Sequence, residues 1–177
     1  MRERKILVVS FSRAGENYSV GNIEKGNTQI VAEMIASEIG GDMFSIEPVA
    51  VYPEDYDECT EVAKREANAK SRPSICGDVD VESYDVIFVG YPIWWEDMPM
   101  PVYTFIESHS WKDKIVVPFC THEGSGLSGT ERKLKDACEG AVVLHGLGIR
   151  GKIAQTDQTK AKSEVRTWIE KIKYKLV

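Results

Sequence analysis

No stretch of this 177-residue chain is apolar for long enough to cross a bilayer. The apolar run near its start, Ile6 to Val9, stops at Ser10 and makes neither a signal peptide nor a membrane span. A cytoplasmic protein with no membrane partner is therefore expected. Cysteine is sparse. Cys59, Cys76, Cys120 and Cys138 form no CxxC pair, and no histidine stands at metal-ligand spacing from any of them. Reduced, unbridged thiols and no metal site are expected on that basis. Positive charge is also short: 22 Lys and Arg against 28 Asp and Glu leave a net charge of −6. That excludes nonspecific nucleic-acid binding, which rests on neutralising phosphates, and suits docking to basic proteins.

Several catalytic signatures are missing as well. Lys25-Gly26-Asn27-Thr28 has the wrong order for a P-loop, and His122-Glu123 begins an HExxH motif that Gly126 breaks. No GxSxG and no Asp–His pair supports a hydrolase triad. The first apolar segment ends in Ser10-Phe11-Ser12 rather than in the acidic residues of a phospho-acceptor domain.

The chain does show an alternation of short apolar strands with helices, over a length that suits one domain spanning residues 1–177. Strands are expected at Lys5–Phe11, Met43–Glu47, Asp85–Gly90, Lys114–Cys120 and Ala141–Ile149, the last interrupted by Gly146 and Gly148. Between them lie a helix capped by Asn27 or Thr28 and ended by Gly40-Gly41, a charged and exposed helix from Asp55 to Lys70, and shorter helices at Pro101–Glu107 and Thr130–Ala137. A last helix, Lys160–Lys175, turns Val165, Trp168, Ile169 and Ile172 inward. This pattern indicates an α/β fold: a three-layer sandwich with a five-stranded parallel sheet and helices on both faces. In strand order 2-1-3-4-5 the first, third and fourth strands are neighbours. The loops after them converge at the carboxyl edge, where such sheets bind ligands.

Those three loops carry the unusual chemistry. The first, Ser10 to Thr28, is long and polar and leads into a helix N-terminus, an arrangement that receives anions; Ser10, Ser12, Asn27 and Thr28 could add hydrogen bonds. The equally simple reading is a capped helix after a surface loop. The second is Tyr91-Pro92-Ile93-Trp94-Trp95, where prolines stiffen the chain, Gly90 permits a sharp turn, and adjacent tryptophans offer a stacking surface for a flat ligand. Trp111 and Trp168 read as packing residues. The third, Gly124-Ser125-Gly126-Leu127-Ser128-Gly129, matches GxGxxG, but it comes late in the chain and no acidic residue ends the next strand, HGLGIRG. A small-residue loop that brings backbone close to a flat ligand fits it better. His122 either contacts that ligand or sits at the surface, and Cys120 stands at a strand end where it could line a site.

Taken together, VVSFSRAGENYSVGNIEKGNT, GYPIWWEDMPMPV and PFCTHEGSGLSGTE resemble the flavodoxins, most closely a bacterial flavodoxin-like group with PIWW and FCTHEGSG loops, and the resemblance covers essentially the whole chain. It implies a flavodoxin-like fold with noncovalent FMN. The phosphate would lie on Ser10, Ser12, Asn27 and Thr28, and the ring between Pro92, Ile93, Trp94 and Trp95 on one side and Thr121, His122, Gly124, Ser125 and Gly126 on the other. It further implies a low-potential electron carrier, a monomer or weak dimer, that works between a reductase and an acceptor protein. The alternative is an FMN-dependent NAD(P)H oxidoreductase acting on quinones or similar small acceptors. Two features depart from the family pattern: the first loop is longer than a typical phosphate turn, and Glu96-Asp97 stands where many relatives carry Gly, which makes a backbone flip beside the ring costlier.

Overall fold

The computed structural model describes residues 3–176. In chain order the elements are β1 (Ile6–Ser10), β2 (Gly15–Asn17), β3 (Gly21–Ile23), α1 (Asn27–Ile39), β4 (Asp42–Ser45), β5 (Glu47–Pro48), α2 (Tyr56–Ala69), β6 (Ile75–Cys76), β7 (Val86–Pro92), α3 (Met100–Glu107), β8 (Ile115–His122), α4 (Thr130–Ala137), β9 (Val142–Val143), β10 (Leu147–Arg150), α5 (Gly151–Thr156) and α6 (Gln158–Leu176). The main sheet runs β4-β1-β7-β8, with β9 and β10 both on the far side of β8 and every pairing parallel. This is the flavodoxin-like α/β sandwich expected from the sequence, with the fifth strand in two pieces. Among the described residues, no helix is long and apolar enough to cross a membrane.

Alternation along the central strands divides the core in two. Leu7, Val9, Ile87, Val89, Tyr91 and Val116 pack with Phe105 and Ile106 of α3 and Leu134 of α4. Val8, Phe88, Val117 and Phe119 face the other way, against Ile30, Val31 and Ile35 of α1, Ala154 of α5 and Trp168 of α6. Strands buried on both faces must be apolar at nearly every position, which is why they read as unbroken runs. Trp111 and Trp168 are packing residues, and each indole N–H donates to a backbone carbonyl, of Ile106 at 2.7 Å and His145 at 3.1 Å. The four cysteines are all unbridged.

Several elements differ from the sequence reading for identifiable reasons. The polar segment after β1 holds a small antiparallel hairpin, β2–β3, made possible by positive-φ Gly15 and Gly21. The segment after α2 contains β6, which pairs with β5. The edge strand breaks between Val143 and Leu147 because of its neighbour. Even-numbered β8 residues direct their polar groups toward this edge, as Val116 does in accepting the Leu144 N–H at 2.9 Å. Pro118 is next but one and has no N–H to offer. The edge chain bulges there, and the Gly146 N–H donates instead to Glu131 Oε1 at 2.6 Å. The expected last helix, Lys160–Lys175, lies within α6, and a short helix not expected from the sequence, α5, precedes it and is separated from it at Asp157.

Gly90 has a different role from the turn assigned to it. β7 continues through it to Pro92, and its φ is not positive. Instead the Phe119 ring of β8 lies across it: a Cβ on Gly90 would sit 2.0 Å from Phe119 Cζ and 2.1 Å from Cε2. Gly90→Ala is therefore expected to destabilise the fold by about 1–3 kcal/mol in urea unfolding. Shortening the opposing ring in the double variant with Phe119→Leu should recover part of that loss, whereas additive losses would show that the two side chains do not share this space.

Candidate functional site

A cleft of about 380 Å³ opens at the carboxyl edge of β1, β7 and β8. That volume falls in the range of small-molecule sites. Of the residues expected from the sequence, Asn27, Pro92, Ile93, Trp94, Trp95, Thr121 and His122 line it. Ser10, Ser12, Thr28, Gly124, Ser125 and Gly126 do not. Pro92, Thr121 and His122 are the last residues of their strands, so the sheet itself carries them to the cleft.

The first loop positions α1 without a cap of the expected kind. Gly26 occupies the N-cap position, and Asn27 and Thr28 are already helical. The Ser12 hydroxyl accepts the Gln29 N–H at 3.0 Å, so the cap comes from across the loop. Gly26 is required there, since a Cβ would meet Ser12 Oγ at 2.1 Å and Arg13 O at 2.8 Å. Thr28 Oγ1 and Thr121 Oγ1 are 2.7 Å apart and both residues are buried, so this hydroxyl pair ties the start of α1 to the end of β8. The Asn27 amide oxygen accepts from Gln155 Nε2 of α5 at 2.8 Å. Ser10 is buried at the end of β1.

The tryptophan loop is a tight hairpin. The Trp94 N–H donates to Asp97 O at 2.9 Å and the Asp97 N–H to Trp94 O at 3.1 Å. The two residues between, Trp95 and Glu96, have φ of 52° and 59°. Positive φ at both positions is the pattern of a type I′ turn, normally left to Asn and Gly. For these side chains it costs about 1–2 kcal/mol per residue. The surroundings hold it in place. Lys133 Nζ donates to Glu96 O at 3.2 Å and pairs with Asp97 Oδ2 at 3.0 Å. Asp97 Oδ1 accepts from the Tyr103 hydroxyl at 2.8 Å. The Trp95 indole N–H donates to Thr60 O at 3.0 Å, with the Lys64 ammonium 5.1 Å above the ring. Trp95 remains 50% exposed, whereas Trp94 is half-buried and meets Phe11 and Tyr52 edge-on at 5.2 and 5.0 Å.

On the third loop, His122 Nδ1 accepts the Gly124 N–H at 2.9 Å, which leaves the neutral ring's proton on Nε2. Burial, and then the positive charge of Arg150, lower its pKa below the usual 6.5, against the opposing pull of Glu123 and Glu164. A backbone hydrogen bond with Gly148 opposes the shift as well, and the neutral ring's N–H is engaged there. Cys120 does not line the cleft. Its thiol points toward Gly126 O at 3.5 Å, and burial pushes its pKa up to about 12, so it is an inert core group.

The fourth wall is α2, which the sequence reading left as an exposed charged helix. Tyr56, Cys59, Thr60 and Ala63 recur at helical spacing and all line the cleft. Their mixed polarity hides the pattern, and only Cys59 and Ala63 are fully buried. Arg13, Asn17 and Tyr18, from the first loop and its hairpin, also line the cleft.

Folded His122 takes up its proton at lower pH than the unfolded chain. The stability owed to its neutral ring is therefore complete above 6.5 and is lost as pH falls from there through the folded midpoint. An NMR titration is expected to give that midpoint below 6.5, and Arg150→Gln to raise it; an Arg150→Gln midpoint that stays in place would remove the guanidinium from the account.

The geometry agrees with the proteins that the chain is similar to. The family model described as "Flavodoxin" matches residues 5–172. A provisionally assigned flavoprotein from Bacteroides eggerthii is 32% identical, with 95% of this chain and 97% of that one covered and a TM-score of 0.75. A Lactobacillus acidophilus flavoprotein in complex with FMN shares the fold at 19% identity, with 86% and 97% covered and a TM-score of 0.65. Oxidised Flavodoxin 2 from Bacillus cereus does so at 17% identity, with 93% and 94% covered and a TM-score of 0.55. No curated protein matches. With the family model spanning nearly the whole chain and the cleft at the carboxyl edge of its parallel sheet, this protein belongs to the flavodoxin family.

Proposed function

We propose that the protein binds FMN noncovalently and serves as a low-potential electron carrier between redox partner proteins in the cytoplasm. The observation that carries this reading is the half-buried Trp94 indole, held edge-on by Phe11 and Tyr52 at the wall of the 380 Å³ cleft. Such a wall suits a flat heteroaromatic ring. Across the cleft, Thr121 and His122 bring polar side chains to the wall.

The residues also suit the phosphate end of the cofactor. The N–H groups of Asn27 and Thr28 open α1 and so have no partner within the helix. They and the helix dipole favour an anion. Ser12 keeps its hydroxyl proton free to donate, because its oxygen is the acceptor in the bond to Gln29. Thr28 contributes its N–H, since its hydroxyl is engaged with Thr121, and Ser10 supports the turn from beneath. Pro92, Ile93 and Trp95 border one side of the ring with Trp94, and Thr121 and His122 the other, while Gly124, Ser125 and Gly126 lie outside the cleft lining. FMN is also the flavin held by the Lactobacillus acidophilus protein, which has the same fold.

Bound there, the flavin supplies reversible electron transfer, and the chain binds it, screens it and sets its potential. The net charge of −6, with Glu123 on the cleft wall and Glu96 in the turn beside Trp95, disfavours added negative charge and lowers the potential. Half-exposed Trp95 and the acidic residues at the start of α2 give a rim on which a basic partner can dock.

A second reading, a two-electron oxidoreductase acting on small molecules, is favoured by one feature: the β2–β3 hairpin and α2 wall the cleft more fully than a carrier needs. Two measurements test these readings. Trp94→Ala is expected to weaken FMN binding about tenfold or more in a spectral titration, and an unchanged affinity would take Trp94 out of the stacking role. Stepwise anaerobic reduction of the FMN-loaded protein should proceed in separated one-electron steps; one concerted two-electron step would favour the oxidoreductase.

A further inference from the structure

A buried titratable pair lies behind the cleft, and neither member lines it. Tyr52 is buried in the core on the α2 side of the sheet, and its hydroxyl donates to Glu66 Oε2 of α2. Among the described residues that phenol is the only partner of the Glu66 carboxylate, and no cation pairs with it. Burial, and then the bond to Glu66, push the Tyr52 pKa well above the usual 10. The phenol therefore keeps its proton against water, and the carboxylate is the group placed to receive it.

Packing alone does not call for this pair. Trp94 meets two rings edge-on, Phe11 at 5.2 Å and Tyr52 at 5.0 Å. Phe11 makes its contact with no hydroxyl to satisfy. A phenylalanine at position 52 would do the same, with no buried polar group and no carboxylate drawn out of water. What the hydroxyl and the carboxylate add is chemical. Indole and phenol side chains can each give up a single electron. An oxidised phenol is a strong acid and sheds its proton as the electron leaves. A buried phenol thus yields an electron only where an acceptor for the proton stands beside it. Here Trp94 is at the cleft wall, Tyr52 touches it from behind, and Glu66 ends the row on the half-buried flank of α2.

We propose that Tyr52 and Glu66 form a refill relay for Trp94: a one-electron path, with its own proton acceptor, that returns an oxidised indole to its resting state. It rests on the reading that Trp94 stands against a bound flavin. Under blue light Trp94 gives one electron to the excited oxidised flavin and becomes a radical cation. Tyr52 then passes one electron to Trp94 as its O–H bond breaks, and the proton goes to Glu66. The indole is whole again. Tyr52 is a neutral radical, Glu66 is a carboxylic acid, and the flavin holds one added electron. Return of that electron to Tyr52, with the proton from Glu66, restores every group, so the cycle consumes light and nothing else. The relay protects the stacking tryptophan from the irreversible oxidation that follows a long-lived indole radical.

The test is flash excitation of FMN-loaded protein in the flavin's visible band, followed by transient absorption, with every variant at saturating FMN. In the parent the broad indole-radical band should give way to the narrow phenoxyl band. Tyr52→Phe keeps the ring contact but has no phenol. It should show no phenoxyl successor, and the indole radical should last about tenfold longer or more. Glu66→Gln still accepts a hydrogen bond but cannot take the proton, and it should slow the handover about tenfold, as expected when a charge-assisted bond is lost. Under continuous blue light, peptide mass spectrometry should find oxidised Trp94 accumulating faster in Tyr52→Phe than in the parent. Equal radical lifetimes in the parent, Tyr52→Phe and Glu66→Gln overturn the proposal. So does a phenoxyl band that survives Tyr52→Phe, an indole band that survives Trp94→Phe, or a parent with no indole radical at all. Each of these leaves FMN binding standing. Failure of the parent to bind FMN removes the flavin reading and the relay together, and is read from a spectral titration before any flash.

Discussion

The close approach of Phe119 to the bare backbone of Gly90 sets the form of the sheet's upper edge. The parallel register puts Ser10, Gly90 and Phe119 in one row across β1, β7 and β8. All three face the α1 layer. With a small residue and a glycine beside it, the Phe119 ring can lie flat over the row, and α1 can settle above it with Ile30 and Val31 in the same core. Two residues further along β8, Thr121 meets Thr28, the second residue of α1, through the buried hydroxyl pair. The helix N-terminus and the end of β8 are thereby fixed to each other. A larger residue at position 90 would displace the ring, and through it the helix start beside the cleft.

That rigid edge supports a turn that would not hold alone. Two residues with bulky or charged side chains in left-handed backbone cost about 2–4 kcal/mol together. Lys133 from α4, Tyr103 from α3 and Thr60 from α2 offset this by bonding to the turn from three directions. The result is a hairpin with both peptide orientations already engaged. Strain of this kind persists where the surroundings over-determine it, and it concentrates at ligand sites. The Glu96 carbonyl is held by Lys133, so a peptide flip beside a bound ring would have to break that bond in addition to the backbone cost.

Local chemistry was legible in the sequence wherever one residue type had one physical use. The runs at Lys5–Phe11, Asp85–Gly90 and Lys114–Cys120 read as strands buried on both faces, and β1, β7 and β8 lie on them; their neighbouring order belongs to one of the two topologies that five such strands allow. Trp94 and His122 reached the cleft because parallel strands deliver their last residues and the adjoining loops to the carboxyl edge, and Asn27 because it opens the helix packed beside that edge. Three things were not legible. The cap on α1 comes from Ser12, far along the chain from the Gln29 N–H it receives, and a through-space bond leaves no local pattern. The α2 wall presents Tyr56, Cys59, Thr60 and Ala63, whose mixed polarity gives no apolar stripe. The break in the last strand was legible at Gly146, but the part played by Pro118 was not, because that residue belongs to the neighbouring strand.

Arg13 joins these levels. In the fold its donors are spent on the carbonyls of Glu16, Pro53 and Glu54. Charge-assisted bonds to carbonyls are stronger than neutral ones, and three from one planar group fix orientation as well as distance. The long first loop is therefore built to stay in place, and its length serves to carry a hairpin out to the N-terminus of α2. A shorter phosphate turn would leave that side of the cleft open to solvent and to a docking protein. Here the added residues bring Arg13, Asn17 and Tyr18 onto the cleft wall beside Tyr56 of α2.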